Sequence, residues 1–431
     1  MRILVLTNMY PPHHYGGYEL ACADAVSRWR GLGHEVAVLT STWRVPGVDD
    51  DPGEDPRRVR RELHLWWRDH EVPAPSLLAR VRDEAANHRV LRAALAELDP
   101  DVVSAWAMGA MSLGLLGAVT RRGLPLVHVL CDDWLVYGPL LDAWSRMFRG
   151  WRAPLGRVLG AVSGLPGSLD GVGSGGPLCF ASAACRERAE RLSPLSLAAD
   201  RPVVPLGIDA ATFPVEAARP LPQRGWTGRM LYVGRIDARK GIDVAVRALA
   251  WLPGTTLEVL GRGDATHLGE LRALAGRLGV ADRVTFGEVP RAGLPERYRA
   301  ADVVLFPVRW EEPFGLVPIE AMACDTPVVA TATGGSAAFL RHEQTCLRVP
   351  VDDPEALAGA VERLRSDPGL RARLIRAGRV VAATLTAQRF ADGLLAWHEA
   401  AANRFAQGRP RLEDPIAEAF DPGGRATACD L

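Results

Sequence analysis

The sequence nearly lacks lysine: all but one of its 51 basic residues are arginine, the exception being Lys240. A drift toward arginine explains the arginines without any function. It does not explain the lysine that stays, since a compact ammonium and a planar guanidinium differ only at sites that read their geometry. Net charge is also missing, because 51 acidic residues offset the 51 basic ones. No global field therefore draws the chain to nucleic acid or an anionic surface. Long apolar runs are absent. The longest, near Gly109–Val119, falls short of the roughly 20 residues that span a bilayer. Met1–Leu6 turns polar at Thr7 and Asn8, too soon for a secretory signal. The seven cysteines are odd in number, scattered and without a C-x-x-C pair, which argues against a disulfide framework or a zinc site. What is present is 431 residues, 48% of them hydrophobic, enough for two ordinary cores. The expectation is a cytoplasmic globular protein of two domains.

The order of elements sharpens this. Arg2–Thr7 reads as a strand, Asn8–Gly17 as a turn-rich loop, Tyr18–Gly31 as a helix and His34–Thr40 as a second strand. Strand, helix, strand at this spacing means a parallel sheet with crossover helices. Pro46–Pro56 reads as a surface loop, Leu77–Leu98 as a helix, and Val102–Ala107, Leu124–Leu130 and Leu178–Ala181 as strands. Arg149–Pro177, rich in glycine and poor in periodicity, reads as a mobile loop. After the linker-like Arg201–Pro214 the grammar restarts. Strands are expected at Met230–Val233, Thr256–Leu260, Val284–Phe286, Val303–Phe306 and Val328–Ala330, with a helix at Ile242–Leu252. The fold class is thus α/β, two Rossmann-like parallel-sheet domains facing each other across a cleft, where such folds bind ligands. The expected boundaries are 1–205, 206–385, a helix at 386–407 crossing back to the first domain, and a disordered tail at 408–431.

Three loops carry candidate chemistry. Gly16-Gly17 lies between the first strand and the first helix. Its backbone N–H groups can meet an anion at the helix N-terminus, or it is simply a tight turn. Arg235 follows the Met230–Val233 strand and Lys240 opens the next helix. A guanidinium fork and an ammonium on one loop suit a diphosphate, the alternative being a solvated basic loop. In the stretch Trp310–Gly335, Pro313-Phe314-Gly315 forms a turn before a short helix, Leu316–Cys324. There the N–H groups of Phe314, Gly315 and Leu316 can hold phosphate. Glu312 precedes that helix and Glu320 lies within it. One carboxylate can accept from sugar hydroxyls and the other from a ribose diol, or they are a capping acid and a surface acid.

Taken together, these residues resemble the retaining nucleotide-sugar glycosyltransferases of family 4, with the GT-B fold. The matching pieces are Gly16, Gly17 and Glu19, then Val233-Gly234-Arg235 with Lys240-Gly241, then Glu312-Pro313-Phe314-Gly315-Leu316 with Glu320-Ala321-Met322-Ala323, and finally Thr333-Gly334-Gly335. Leu206-Gly207-Ile208-Asp209 resembles the family's interdomain crossing. The similarity is dense over about residues 202–365 and thinner before them. The resemblance implies a glycosyltransferase that moves a sugar from a nucleoside diphosphate sugar to an acceptor with retention, needing no metal and no cofactor beyond the donor. Arg235 and Lys240 would neutralise the diphosphate. Glu312 would hold the sugar and Glu320 the ribose, and the backbone at Gly16–Gly17 and Phe314–Leu316 would complete the phosphate cradle. Catalysis would then be mainly positioning and charge stabilisation.

The sequence departs from the family at three places. Cys131-Asp132 stands where His-Asp is usual, with His128 three residues early and, on a strand, on the opposite face. Either Cys131 replaces the histidine or Asp132 supplies the sugar contact. Asp325 stands where glycine is common, and Ala337-Ala338 replaces a polar pair. The rivals are a nucleotide-sugar epimerase on the same fold and a catalytically silent sugar-nucleotide-binding subunit. Asp132-Asp133 and Asp49–Asp51 read as solvated loop acids rather than a metal site. The basic-aromatic stretches Arg57–Trp67 and Trp144–Arg152 show no clear amphipathic arc and read as acceptor loop or plain surface rather than a membrane contact. The acceptor is expected to be a small molecule, natural products included, or a lipid.

Overall fold

Residues Ile3, Leu4, Val5 and Leu6 are all buried to 1% exposure or less. Alternate side chains of a strand point to opposite faces, so burial of every one means a sheet covered on both sides, as parallel sheets are. The computed structural model describes residues 1–67, 75–216, 220–221 and 225–407 and divides the chain into two units, Met1–Pro205 with Phe390 onward, and Leu206–Arg389.

The first unit runs β1 (Arg2–Leu6), α1 (Gly17–Gly31), β2 (Glu35–Ser41), β3 (Val59–Leu63), α2 (Leu77–Leu98), β4 (Val102–Ala105), α3 (Gly114–Arg121), β5 (Leu126–Leu130), α4 (Trp134–Leu141), α5 (Ala153–Ser163), β6 (Leu178–Phe180) and α6 (Ala183–Leu192). The second runs β7 (Arg229–Val233), α7 (Ile242–Ala248), β8 (Thr256–Leu260), α8 (Ala265–Arg277), β9 (Val284–Gly287), α9 (Leu294–Ala300), β10 (Val303–Phe306), α10 (Leu316–Ala323), β11 (Val328–Ala330), β12 (Leu347–Arg348), α11 (Pro354–Ser366) and α12 (Pro368–Thr384). A last helix, α13 (Ala387–Gln407), begins in the second unit and from Phe390 groups with the first. There Asp392 pairs with Arg28 of α1 at 2.5 Å, and the Trp29 indole donates to the Ala391 carbonyl at 2.9 Å.

Both sheets are six-stranded, in the orders β3-β2-β1-β4-β5-β6 and β12-β11-β10-β7-β8-β9, and every pairing is parallel. Counted from the first strand of each unit, the order is the same doubly wound one. The winding reverses between β1 and β4 and again between β7 and β10, and ligands bind outside the carboxyl ends of the strands at such points. Each unit has its own apolar core, centred on Leu4, Val103 and Leu130 in the first and on Tyr232, Val259 and Leu305 in the second. Among the described residues no helix is long and apolar enough to cross a membrane.

The structure corrects the reading of Arg149–Pro177 as a loop, because α5 occupies Ala153–Ser163. Its buried face is glycine rather than aliphatic. A Cβ on Gly156 would stand 2.6 Å from that of Phe148, and one on Gly160 would stand 3.2 Å from the Pro166 backbone. Glycines that read as breakers in the sequence are here the surface by which the helix packs. The larger apolar residues of the helix, Leu155, Val158 and Val162, are turned outward. Two short strands were also missed. β3 lies in the arginine-rich Arg57–Trp67 stretch, and β12 has only two residues. The tail from Gly408 lies outside the described residues.

Candidate functional site

In the second unit the loop after β7 and the loop after β10 lie against each other at the reversal of the sheet order. The Arg309 backbone N–H donates to the Arg239 carbonyl at 2.8 Å, and the Arg309 guanidinium donates to the Ala238 carbonyl at 2.9 Å and to Asp243 at 2.7 Å. Gly241 has φ +68°, and a Cβ there would fall 2.0 Å from the Pro307 carbonyl oxygen, so the close approach of the two loops needs glycine at this position.

This packing places Lys240 on Glu312. Lys240 Nζ donates to Glu312 Oε2 at 2.6 Å, and both side chains are 13% exposed. Trp310 Nε1 donates to the same oxygen at 2.9 Å. The Trp310 ring also lies beside two cations, with Lys240 Nζ 5.3 Å and Arg239 Cζ 4.8 Å from its centroid. Such contacts favour a partly desolvated charge. Arg239 is itself taken by Asp237 at 2.6 Å, which holds that carboxyl well below its ordinary range. Arg235 is half-buried, and its carbonyl accepts from the Tyr232 hydroxyl at 2.8 Å. Among the described residues no carboxylate pairs with its guanidinium. The loop thus holds three cations, of which Arg239 and Lys240 are matched by acids and Arg235 is not.

The Thr-Gly-Gly turn fixes the backbone around Glu312. The Thr333 hydroxyl donates to the Trp310 carbonyl at 2.6 Å, and the Gly335 N–H donates to the Glu312 carbonyl at 2.7 Å. Phe314 is buried against Phe339, with ring centroids 5.4 Å apart. Gly315 is the residue before α10, with φ +92°, and it has no side chain to accept from the first N–H groups of that helix. Glu320, on the second turn of α10, is buried and accepts from the Tyr298 hydroxyl at 2.7 Å. Burial raises its pKa, an effect the tyrosine hydrogen bond partly opposes. The structure thus joins Lys240, Glu312 and Trp310 directly, and seats Glu320 with Tyr298.

In the first unit Gly16 and Gly17 stand at the start of α1, but Glu19 Oε2 already accepts from the Gly16 N–H at 2.9 Å. A carboxylate of the chain itself occupies the place where an anion is favoured. Cys131 closes β5 and is buried, which pushes its thiol pKa well up and keeps it neutral. Asp132 accepts from the Tyr137 hydroxyl at 2.6 Å and the Trp134 N–H at 3.1 Å. Although its surface keeps some solvent contact, desolvation pushes its carboxyl up to about 7. Repulsion from Asp133 and Glu19 adds to the rise, so the two loops of this unit share one electrostatic neighbourhood. His128 takes no part in it. Wholly buried, its ring meets the carbonyls of Val172 at 2.7 Å and Pro177 at 3.3 Å, and burial lowers its pKa to about 4.

Trp310, Tyr298 and Tyr137 are the neighbours that sequence reasoning missed. Trp310 opened the stretch already singled out, so its indole N–H was available as a signal. Tyr298 and Tyr137 sit on helices with nothing to mark them. The departure at Asp325 has a structural reason. It ends α10 with φ +62°, and its carboxylate takes both Nε and Nη2 of the buried Arg379, at 2.6 and 2.9 Å.

Comparison with known proteins agrees with this architecture. Residues 15–163 match the family described as Glycosyltransferase Family 4, and residues 222–381 match Glycosyl transferases group 1. A D-inositol 3-phosphate glycosyltransferase of Acidothermus cellulolyticus is 39% identical over 233 residues, covering 50% of this chain and 51% of that one. The enzyme of the same name from Xylanimonas cellulosilytica is 41% identical over 236 residues, covering 51% and 54%. The chain thus spans about half the length of the curated relatives it matches. Among solved structures, sucrose-phosphate synthase of Thermosynechococcus elongatus superposes with TM-score 0.67 at 23% identity, covering 94% of this chain and all of that one. Anabaena HepE, crystallised with UDP and glucose, gives TM-score 0.65 at 20% identity, covering 92% and 98%. With one glycosyltransferase family matched in each half, and the fold shared nearly end to end with solved members, the chain belongs to the GT-B glycosyltransferases.

Proposed function

We propose that the chain transfers a sugar from a nucleoside diphosphate sugar to an acceptor, with retention of anomeric configuration and without a metal ion. The observation that carries this reading is the Lys240–Glu312 ion pair, closed at 2.6 Å by two loops that meet where the second sheet reverses its winding. A free lysine would be a generic anion site. One held by a carboxylate and an indole is oriented before the ligand arrives, and pre-oriented charge is the form that stabilises a transition state.

In this reading the donor diphosphate lies against Arg235, Lys240 and the first N–H groups of α10. Arg235 supplies the unmatched positive charge and Lys240 the positioned one. Glu312 offers its carboxylate to the donor sugar hydroxyls, and Glu320 offers its own to the ribose. The bond from the anomeric carbon to the diphosphate oxygen breaks as the acceptor oxygen bonds that carbon on the same face. The acceptor's proton passes to the departing phosphate oxygen, so no separate side-chain base is needed. Gly16, Gly17, Cys131 and Asp132 are assigned to substrate contact. A buried neutral thiol at Cys131 makes that wall less polar than a histidine would. A phosphate approaching Gly16 would have to displace the Glu19 carboxylate from its N–H.

The experiment is a panel of UDP-, GDP-, ADP- and TDP-sugars, each incubated with the protein and polyol or sugar-phosphate acceptors, with released nucleoside diphosphate followed over time. Acceptor-dependent release from one donor supports the reading. Conversion of a donor without any acceptor would point to an epimerase, and binding without turnover to a silent subunit.

A further inference from the structure

The first unit exposes an apolar stripe that no part of the proposed chemistry uses. Trp151, in the turn before α5, is 84% exposed, and Leu155, Val158 and Val162 on the helix are 61%, 62% and 83% exposed. Steps of four, three and four residues put these side chains on one line along a helical surface. Their outward direction follows from the packing, because Gly156 and Gly160 occupy the inner face against Phe148 and Pro166. The start of α2 lies nearby, with the Arg80 guanidinium donating to the Ala143 carbonyl at 3.4 Å, and it adds the exposed Leu77 and Leu78.

The charge along this segment has one sign. Between Asp142 and Asp170 there is no acidic residue, whereas Arg146, Arg149, Arg152 and Arg157 fall in that interval and are exposed. Among the described residues none of the four is paired with a carboxylate. Arg152 instead lies 5.0 Å from the Trp151 ring centroid. In a chain of zero net charge, four arginines and no acid in the segment that carries an outward apolar stripe are a local arrangement that composition does not produce.

We propose that α5 and the turn before it form a docking surface for an anionic lipid bilayer, with Trp151, Leu155, Val158 and Val162 entering the interface and the four arginines meeting headgroup phosphates. A helix with an apolar face and a basic border is the form that lies in such an interface. The charge argues against a second copy of this chain as the occupant. Pairing the same face across a two-fold axis would bring two sets of arginines together with no acid between them. The inference does not depend on the transferase reading, since α5 shares no residue with that site.

The test uses the full chain and sedimentation with vesicles, either phosphatidylcholine alone or phosphatidylcholine mixed in equal part with phosphatidylglycerol. The intact protein should pellet with the mixed vesicles, remain in solution with the neutral ones and release as salt is raised. Val158→Glu with Val162→Glu should abolish pelleting. Arg152→Gln with Arg157→Gln should weaken it by about fivefold for each arginine removed. Both pairs lie on the surface, and unchanged melting temperatures would verify that they fold. The proposal is overturned if the intact protein stays in solution with the mixed vesicles, or binds the neutral ones equally. It is equally overturned if both variants pellet as well as the parent, or if the glutamate variant instead splits a dimer on size exclusion.

Discussion

Lys240 and Glu312, separated by 72 positions, meet at 2.6 Å, and Trp310 donates to the same carboxylate oxygen. The chain's one lysine is thus bound to an acid on a different loop, and the backbone on either side of that acid is held by Thr333 and Gly335. Lysine concentrates its charge at one rotatable point, and this geometry uses that property; a planar guanidinium would have to enter the same space edge-on.

The scarcity of lysine turns amine labelling into a probe of this one site. Reductive methylation should modify the amino terminus and Lys240 only, the latter slowly because its side chain is 13% exposed. A bound nucleoside diphosphate should slow Lys240 further and leave the terminus unaffected. Peptide mass spectrometry with and without the nucleotide reads both sites in one experiment, and equal protection or none would separate Lys240 from the ligand.

Glu312→Gln should move two quantities in opposite directions. Removing the carboxylate charge frees Lys240 for the diphosphate, so affinity for the nucleoside diphosphate rises. The turnover number falls by about 100-fold, because the neutral amide no longer holds the reacting sugar as the charged oxygen does. Steady-state rates and nucleotide titration of the same preparation check the prediction. A variant in which both fall together would assign Glu312 a merely structural role.

Asp132 makes stability depend on pH in a defined direction. Its carboxyl titrates near 3.8 when unfolded and about 7 when folded, raised mainly by desolvation. Between these values the folded chain binds more protons than the unfolded one, so stability is lost as pH rises through that window. Asp132→Asn keeps an acceptor for the Trp134 N–H and removes the titration. Thermal melts from about pH 4 to 8 should show the parent losing more of its melting temperature than the variant. Parallel curves would remove Asp132 as the cause.

Asp325 and Arg379 form a buried pair at the end of α10, at 2.6 Å. Arg379→Ala leaves a buried carboxylate without its cation and should cost about 3–5 kcal/mol in denaturant unfolding. Asp325→Gly takes that carboxylate from the arginine but relieves a left-handed backbone at φ +62°. Asp325→Ala takes the same carboxylate away and keeps the strain, so it should be less stable than Asp325→Gly by about 1 kcal/mol. The reverse order would mean that the backbone conformation costs nothing here.

The doubly wound sheets were legible because buried parallel strands read as short apolar runs between turn signals, and Thr256–Leu260, Val303–Phe306 and Val328–Ala330 match to the residue. α2 was equally plain, as its 22 residues carry an uninterrupted helical pattern. β3 was hidden because its sequence, VRREL, puts charges in the middle of a strand. α5 was hidden because its inner face is glycine, which removes the apolar periodicity that marks a helix. At the candidate site, the local sequence identified Lys240 and Glu312. It singled out the stretch that Trp310 opens but not the indole as their shared neighbour, nor the Glu19 carboxylate on the Gly16 amide, since both contacts depend on how side chains fold back.

The central claim is that Lys240 holds a nucleoside diphosphate, and calorimetric titration of UDP, GDP, ADP and TDP into the intact protein and Lys240→Ala tests it most directly. The account predicts saturable binding of at least one of them by the intact protein and affinity at least about tenfold weaker in the variant, the effect of removing one charge-assisted hydrogen bond to phosphate. Equal affinity in the two proteins, or no binding of any of the four by the intact one, would contradict it.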